Sequence, residues 1–251
     1  MRFLFTVLIY FFSGIVSYAQ DVHALLNEAD RLEYLPDEKA ALKKYMEVLK
    51  VSPGNIYSVN KCSELCSRIG QRETSNTKLR SDYYKAARMY AENALKIDPK
   101  NSEANCVMAI ALGRSSMSKS GRDKIENAKE VKKYVDAAIA GDVKNFKAWH
   151  VLGRWQYEIS NLNSLERGLV KLFYGGLPPA TLKQSIASFE KARALRPEFL
   201  LNYYEMAKAY KDNDNKAKAV AYLQLMITLP IQTEDDATLK EKAKALIKDW
   251  E

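Results

Sequence analysis

The chain is poor in the residues that carry catalysis and in those that interrupt helices. It has two histidines, three cysteines, ten glycines and seven prolines in 251 residues. Two histidines, His23 and His150, cannot supply a His-rich metal cluster, and no carboxylate stands at a recognisable spacing to orient either of them as a base. No glycine-rich phosphate loop is present, and Gly175-Gly176 before Leu177-Pro178-Pro179 reads as a turn. Three cysteines exclude a disulfide framework. Cys62 and Cys66 are four apart, hence on one helical face, where a disulfide is geometrically awkward and two sulfurs alone make a poor zinc site. With Cys106 they read as small buried packing residues. The sequence therefore predicts a protein without catalytic residues, metal or cofactor, and not an enzyme.

Long apolar runs are also missing, with one exception. Arg2 precedes an apolar stretch from Phe3 to Val16 that closes on Ser17-Tyr18-Ala19. That order matches a secretory leader, and the run is shorter than the roughly 20 residues that cross a bilayer. We expect residues 1–19 to be a signal peptide and 20–251 to form one helical domain, exported to a periplasm or secreted; the alternative is an uncleaved anchor. The net charge is +8, and losing Arg2 with the leader would lower it by one. A basic balance favours acidic protein surfaces or anionic lipid, and export argues against nucleic acid.

Apolar residues recur at helical spacing and no segment alternates as a strand does, so the expected class is all-α. Stop signals punctuate the pattern at Ser52-Pro53-Gly54-Asn55, Asp98-Pro99-Lys100-Asn101, Asp142-Val143-Lys144-Asn145 and Arg196-Pro197-Glu198. Between the last two lie Trp149, Leu152 and Gly153, then Ser185, Phe189, Ala192 and Pro197. This is the residue order of one tetratricopeptide repeat, in which a small residue in the first helix lets the second approach closely. The stops are spaced more widely than the repeat norm of about 34 residues. The excess predicts insertions between the helices of a unit at Gln71–Arg80, Ser115–Arg122 and Asn161–Thr181. The expected architecture is a right-handed solenoid of about five helical hairpins. A capping helix over 234–250 closes it, with Thr233 as cap and a stripe of Leu239, Ala243, Leu246 and Trp250.

Such a solenoid lines its concave face with the first helix of each unit. Counting from Gly153 puts Lys147, His150, Arg154 and Tyr157 there; counting from Ala207 adds Leu201, Tyr204, Lys208 and Lys211. Earlier units contribute Tyr57, Asn60, Glu64 and Ser67, then Glu103, Cys106, Ile110 and Gly113. The groove should become basic and aromatic toward its C-terminal half, which suits an acidic protein or peptide because charge-assisted hydrogen bonds are the strong ones. The alternative is a set of ordinary solvated charges. In the longest insertion Leu162, Leu165, Leu169, Leu172 and Phe173 form an apolar helical stripe. It either completes the core or roofs the groove over a pocket for an anionic lipid or other amphiphile.

Leu152-Gly153-Arg154-Trp155-Gln156-Tyr157-Glu158, Leu162, Leu165-Glu166, Leu172-Phe173, Pro178-Pro179-Ala180-Thr181, Phe189-Glu190-Lys191-Ala192 and Pro197 resemble the regulator of microtubule dynamics family. Gly121-Arg122-Asp123-Lys124-Ile125, Leu229-Pro230 and Glu234-Asp235 extend the resemblance to roughly residues 80–245. It implies a helical tetratricopeptide-type domain with roles in microtubule association and, for some members, organelle contacts and lipid binding, and it implies no catalytic residues. The leader of this chain looks bacterial and differs from the N-terminal membrane segment usual in animal members. Three readings follow: a scaffold gripping a protein or peptide in its groove, a carrier of an anionic amphiphile beneath the 162–173 helix, and microtubule association, which requires the leader to stay uncleaved.

Overall fold

A computed structural model describes residues 22–116 and 121–250; the expected leader lies outside them. Among the described residues there are twelve helices and no strand. They are α1 (22–34), α2 (Glu38–Val51), α3 (Ile56–Arg72), α4 (Thr77–Ile97), α5 (Ser102–Ser116) and α6 (Gly121–Gly141). The second half holds α7 (Phe146–Ser160), α8 (Ser164–Tyr174), α9 (Leu182–Leu195), α10 (Leu200–Asp212), α11 (Lys216–Thr228) and α12 (Asp236–Trp250). No helix among them is long and apolar enough to cross a membrane. The hairpins α1–α2, α3–α4, α5–α6, α7–α9 and α10–α11 stack in order into a tetratricopeptide-like solenoid, with α12 packed on α11 and α10.

Each hairpin begins where the stop signals place it. The Asn55 side chain accepts from Ser58 N, that of Asn101 from Ala104 N and that of Asn145 from Ala148 N, satisfying donors the first turn leaves free. Eight residues after each cap stands a small residue, Ser63, Ala109 or Gly153, and Ala207 holds the same place in α10. At Gly153 the reason is direct: a Cβ would come within 2.7 Å of the Phe189 ring. Phe189 is fully buried by that approach, worth about 2–3 kcal/mol of apolar burial. Ser63 turns its smallness to a second use and donates to Ala87 O at 2.8 Å.

Two of the three expected insertions are helical at their edges. Within Gln71–Arg80, α3 runs to Arg72 and α4 starts at Thr77, with residues 73–76 as the connection; of Ser115–Arg122, Ser115 and Ser116 end α5 and Gly121 and Arg122 open α6, while 117–120 lie outside the described residues. Both sequences keep helical periodicity, so lengthening the hairpin costs less than an unpaired loop. The third insertion forms a helix of its own, α8, framed by a reciprocal cap between Asn163 and Glu166. It ends on Gly175 and Gly176, whose φ of 74° and 85° favours glycine.

The C-terminal helix carries its expected stripe into the core around Leu223 and Met226, but Thr233 is not its cap. The Asp236 carboxylate instead reaches back to the backbone N–H groups of Gln232 and Thr233, both at 2.8 Å. That folds the α11–α12 linker toward the far end of the solenoid. There Glu234 accepts from the Glu38 backbone at 2.7 Å and contacts Arg72 at 3.1 Å, while Asp235 also meets Arg72 at 3.1 Å. The α11–α12 linker is thereby joined to the first two units.

Candidate functional site

The inner row of the solenoid is assembled from α3, α5, α7 and α10, and its polar side chains form a nearly continuous chain of ion pairs. At the N-terminal end Glu38 is fully buried and receives both Arg68 and Arg72, the latter at 2.6 Å. Burial pushes the Glu38 carboxyl above its ordinary pKa despite those two cations. Lys61 and Arg68 share Glu33 at 2.9 and 3.5 Å. Further in, Lys147 joins Glu64 at 2.7 Å and Glu103 on its other side. Burial opposes the Glu64 charge, yet Lys147, Lys61 and Arg68 outweigh it and hold the carboxyl well below the usual range. The same acids hold the Lys147 ammonium above its ordinary value, again against burial.

The C-terminal half is built differently. Arg154 binds Glu205 and lies 3.1 Å from Glu158, and Lys208 meets Glu205 at 3.2 Å. Lys208 Nζ sits 5.4 Å from the Tyr157 ring centroid and 5.9 Å from that of Tyr204, so one ammonium covers two aromatic faces. Tyr157 donates to Asp212 at 2.5 Å, fixing its ring. Lys211, half-buried at this end, has no ion pair among the described residues.

The expected row thus comes together, with two qualifications. First, the charge is largely compensated: Lys147, Arg154 and Lys208 each face a carboxylate, so the groove is less basic than residue counting implied. Second, His150 belongs to the floor between units. It is 7 % exposed, 4.9 Å from the Phe199 ring centroid and 5.6 Å from that of Phe189. Asn202 Nδ2 donates to Phe189 O at 2.9 Å, which leaves its Oδ1 to accept from His150 Nδ1 at 3.1 Å and fixes the tautomer. Burial lowers the imidazole pKa to about 4, the Asn202 bond and Glu205 opposing that shift and Arg154 and Arg114 adding to it.

The apolar stripe of α8 points away from the packed layers. Leu165, Leu169, Leu172 and Phe173 are exposed, and only Leu162 packs on the central core. The helix is tethered through Lys129 of α6, which donates to Tyr174 O at 2.7 Å. The four exposed side chains therefore neither complete the core nor roof the groove. Cys62, Cys66 and Cys106 are free and buried, as expected, and burial pushes the thiols of Cys62 and Cys66 up to about 12. Among the described residues no group of three or more His, Cys, Asp or Glu is arranged to hold a metal.

Sequence reading missed three contributors: Glu205, the clasp of Arg72 with Glu234 and Asp235, and Arg114. Glu205 and Arg114 lie one residue beside concave positions already counted, so the repeat register contained the signal. The clasp joins residues more than 160 apart and leaves none.

The family described as regulator of microtubule dynamics protein 1-3 matches residues 25–251. Regulator of microtubule dynamics protein 3 of Xenopus laevis is 34% identical over 147 residues, covering 58% of this chain and 32% of that protein. Protein 2 of Rattus norvegicus is 25% identical over 232 residues, covering 90% of this chain and 53% of its own. The chain thus spans about half or less of the length of these two relatives. Among solved structures, a thermophilic tetratricopeptide-repeat protein of Thermus thermophilus superposes with a TM-score of 0.63 at 14% identity, covering 90% of this chain and 99% of that one. That likeness establishes the fold.

Proposed function

This chain belongs to the family of regulator of microtubule dynamics proteins 1-3, and we propose that it acts as a non-enzymatic scaffold holding an acidic segment of a partner protein in its concave groove. A tetratricopeptide-like solenoid supplies the curved surface. The observation that carries the reading is the platform of Tyr157, Lys208 and Tyr204, with Lys211 on the same helix as Lys208 and without an ion pair among the described residues. Aromatic faces give contact area at small entropic cost, and an unpaired lysine offers attraction that internal acids do not cancel.

Peptide display against the full chain tests this. Enriched peptides should carry acidic residues, and Tyr204→Ala with Lys211→Glu should weaken them tenfold or more, about 1.4 kcal/mol, without loss of helicity. Enrichment indifferent to charge, or binding unchanged in that variant, would sink the proposal.

The leader motif in residues 1–19 supports a partner outside the cytoplasm. The relatives' names support a second partner, the microtubule. N-terminal sequencing of the natural protein separates the two: a chain starting near Gln20 favours the exported scaffold. An intact Met1 overturns export and directs the test to cosedimentation with microtubules.

A further inference from the structure

The cations along the inner helices, Lys61, Arg68, Arg72, Lys147 and Arg154, each lie within ion-pair distance of a carboxylate. Arg114, in the last turn of α5, does not, among the described residues. Four other elements face it: Tyr84 from α4, Arg154 from α7, Glu205 from α10 and Asp235 from the α11–α12 linker. The two acids in that set are committed elsewhere, Glu205 to Arg154 and Lys208, Asp235 to Arg72. A guanidinium is thus held in a half-buried position without an ion pair of its own, under only the longer-range pull of Glu205 and Asp235. Leaving an enclosed charge unpaired is costly, and folds that keep one commonly use it. The adjacent Gly113 is exposed, and a Cβ built on it meets nothing within 4 Å, so the groove floor beside the guanidinium is bare and open to a ligand's main chain.

We propose that Arg114 anchors a carboxylate-binding subsite in the groove, taking the side-chain or C-terminal carboxylate of a bound acidic peptide. The subsite deepens, and rests on, the reading of the groove as the peptide-binding face. Charge count selects the ligand. One unpaired guanidinium matches one monoanion, and its planar fork suits the two oxygens of a carboxylate. A dianionic phosphate would place its second charge against Glu205 and Asp235, which already face the site. Gly113 leaves room for the peptide backbone, and the Tyr157–Lys208–Tyr204 platform spans the next two inner helices, α7 and α10.

Fluorescence anisotropy on the full chain tests the subsite with three labelled heptapeptides: GSEEESG as its amide, GSQQQSG as its amide, and GSQQQSG with a free C-terminus. The wild type should bind the first or the third and not the second; the member of the pair that binds identifies the carboxylate's source. Arg114→Gln should weaken that binding roughly tenfold or more, the loss of a charge-assisted pair. Arg114→Lys should restore part of it. In the free protein Arg114→Gln should have a Tm at or above wild type, because an unpaired enclosed charge has been removed. A Tm several degrees lower would assign Arg114 a structural role and overturn the subsite. Unchanged binding in Arg114→Gln, with loss in Tyr204→Ala/Lys211→Glu, overturns the subsite and keeps the groove. Binding unaffected by either variant overturns both, as does failure of the wild type to bind any carboxylate peptide. Stronger competition by inorganic phosphate than by acetate at equal ionic strength would also overturn the monoanion assignment.

Discussion

His150 offers a quantitative test of how the repeats pack. The imidazole is neutral and buried between α7, α9 and α10, with its pKa lowered to about 4. In the unfolded chain the reference value is about 6.5. As pH falls, the unfolded state takes up the proton first, so stability is full above about pH 6.5, declines through the window down to about 4 and levels off below it. For this one group the loss between pH 7 and pH 5 is about 2 kcal/mol, and about 3 kcal/mol over the whole window. Charged neighbours work against each other: Glu205 favours the protonated ring, while Arg154 and Arg114 oppose it. Glu38, whose carboxyl burial pushes upward, is common to wild type and a His150 variant, so the difference between the two proteins isolates the histidine. Urea unfolding at fixed pH steps, with the m-value checked for constancy, measures the effect. His150→Gln keeps a donor for Asn202 and cannot titrate. It should cost about 1 kcal/mol at pH 7 through lost ring contacts with Phe189 and Phe199, and then lose far less than wild type on acidification. Parallel stability curves for the two proteins between pH 7 and 5 would refute a buried neutral His150.

Three further outcomes follow from the packing. Gly153→Ala drives a methyl to within 2.7 Å of the Phe189 ring and should destabilise by about 1–3 kcal/mol in thermal or urea unfolding; a neutral result would mean that the α7–α9 contact is looser than described. Arg72→Ala removes one of the two arginines on the buried Glu38 and both clasp contacts to Glu234 and Asp235. A loss of about 3 kcal/mol is expected, with faster hydrogen exchange over residues 233–240; unchanged exchange there would count against the clasp. The three cysteines should resist thiol reagents in the native state and react together on unfolding, because all are buried and burial raises their pKa values. Fast labelling of any one under native conditions would contradict its placement.

Much of the solenoid was legible because it is written locally. The helix-stopping turns and the small Gly153 are short-range signals, and the hairpin starts at Asn55, Asn101 and Asn145 and the Gly153–Phe189 contact stand where those signals put them. The concave register was legible for the same reason, since a residue's place in a repeat fixes the side it faces. The electrostatics of that face were not. Lys147 reads as a free groove cation until Glu64, 83 residues away, is brought within 2.7 Å. His150 reads as a groove contact until Phe199 and Asn202 of the next unit enclose it. The α8 stripe shows the limit in the opposite direction: periodicity identifies an apolar face but not whether any protein surface meets it. At Gln71–Arg80 the spacing between stops does not separate lengthened helix from loop, and both are present: helix to Arg72 and from Thr77, with a short connection between.

On the proposed function the partner lies along the inner helices and not on the outer face or on α8. Hydroxyl-radical footprinting of the full chain, with and without a display-selected acidic peptide, reads side-chain cover directly. Protection of Tyr157, Tyr204 and Ile110 on the inner row is expected, with Leu172 and Phe173 of α8 unchanged. Protection confined to α8 or to the outer helices, with the inner tyrosines as reactive as in the free protein, would contradict it.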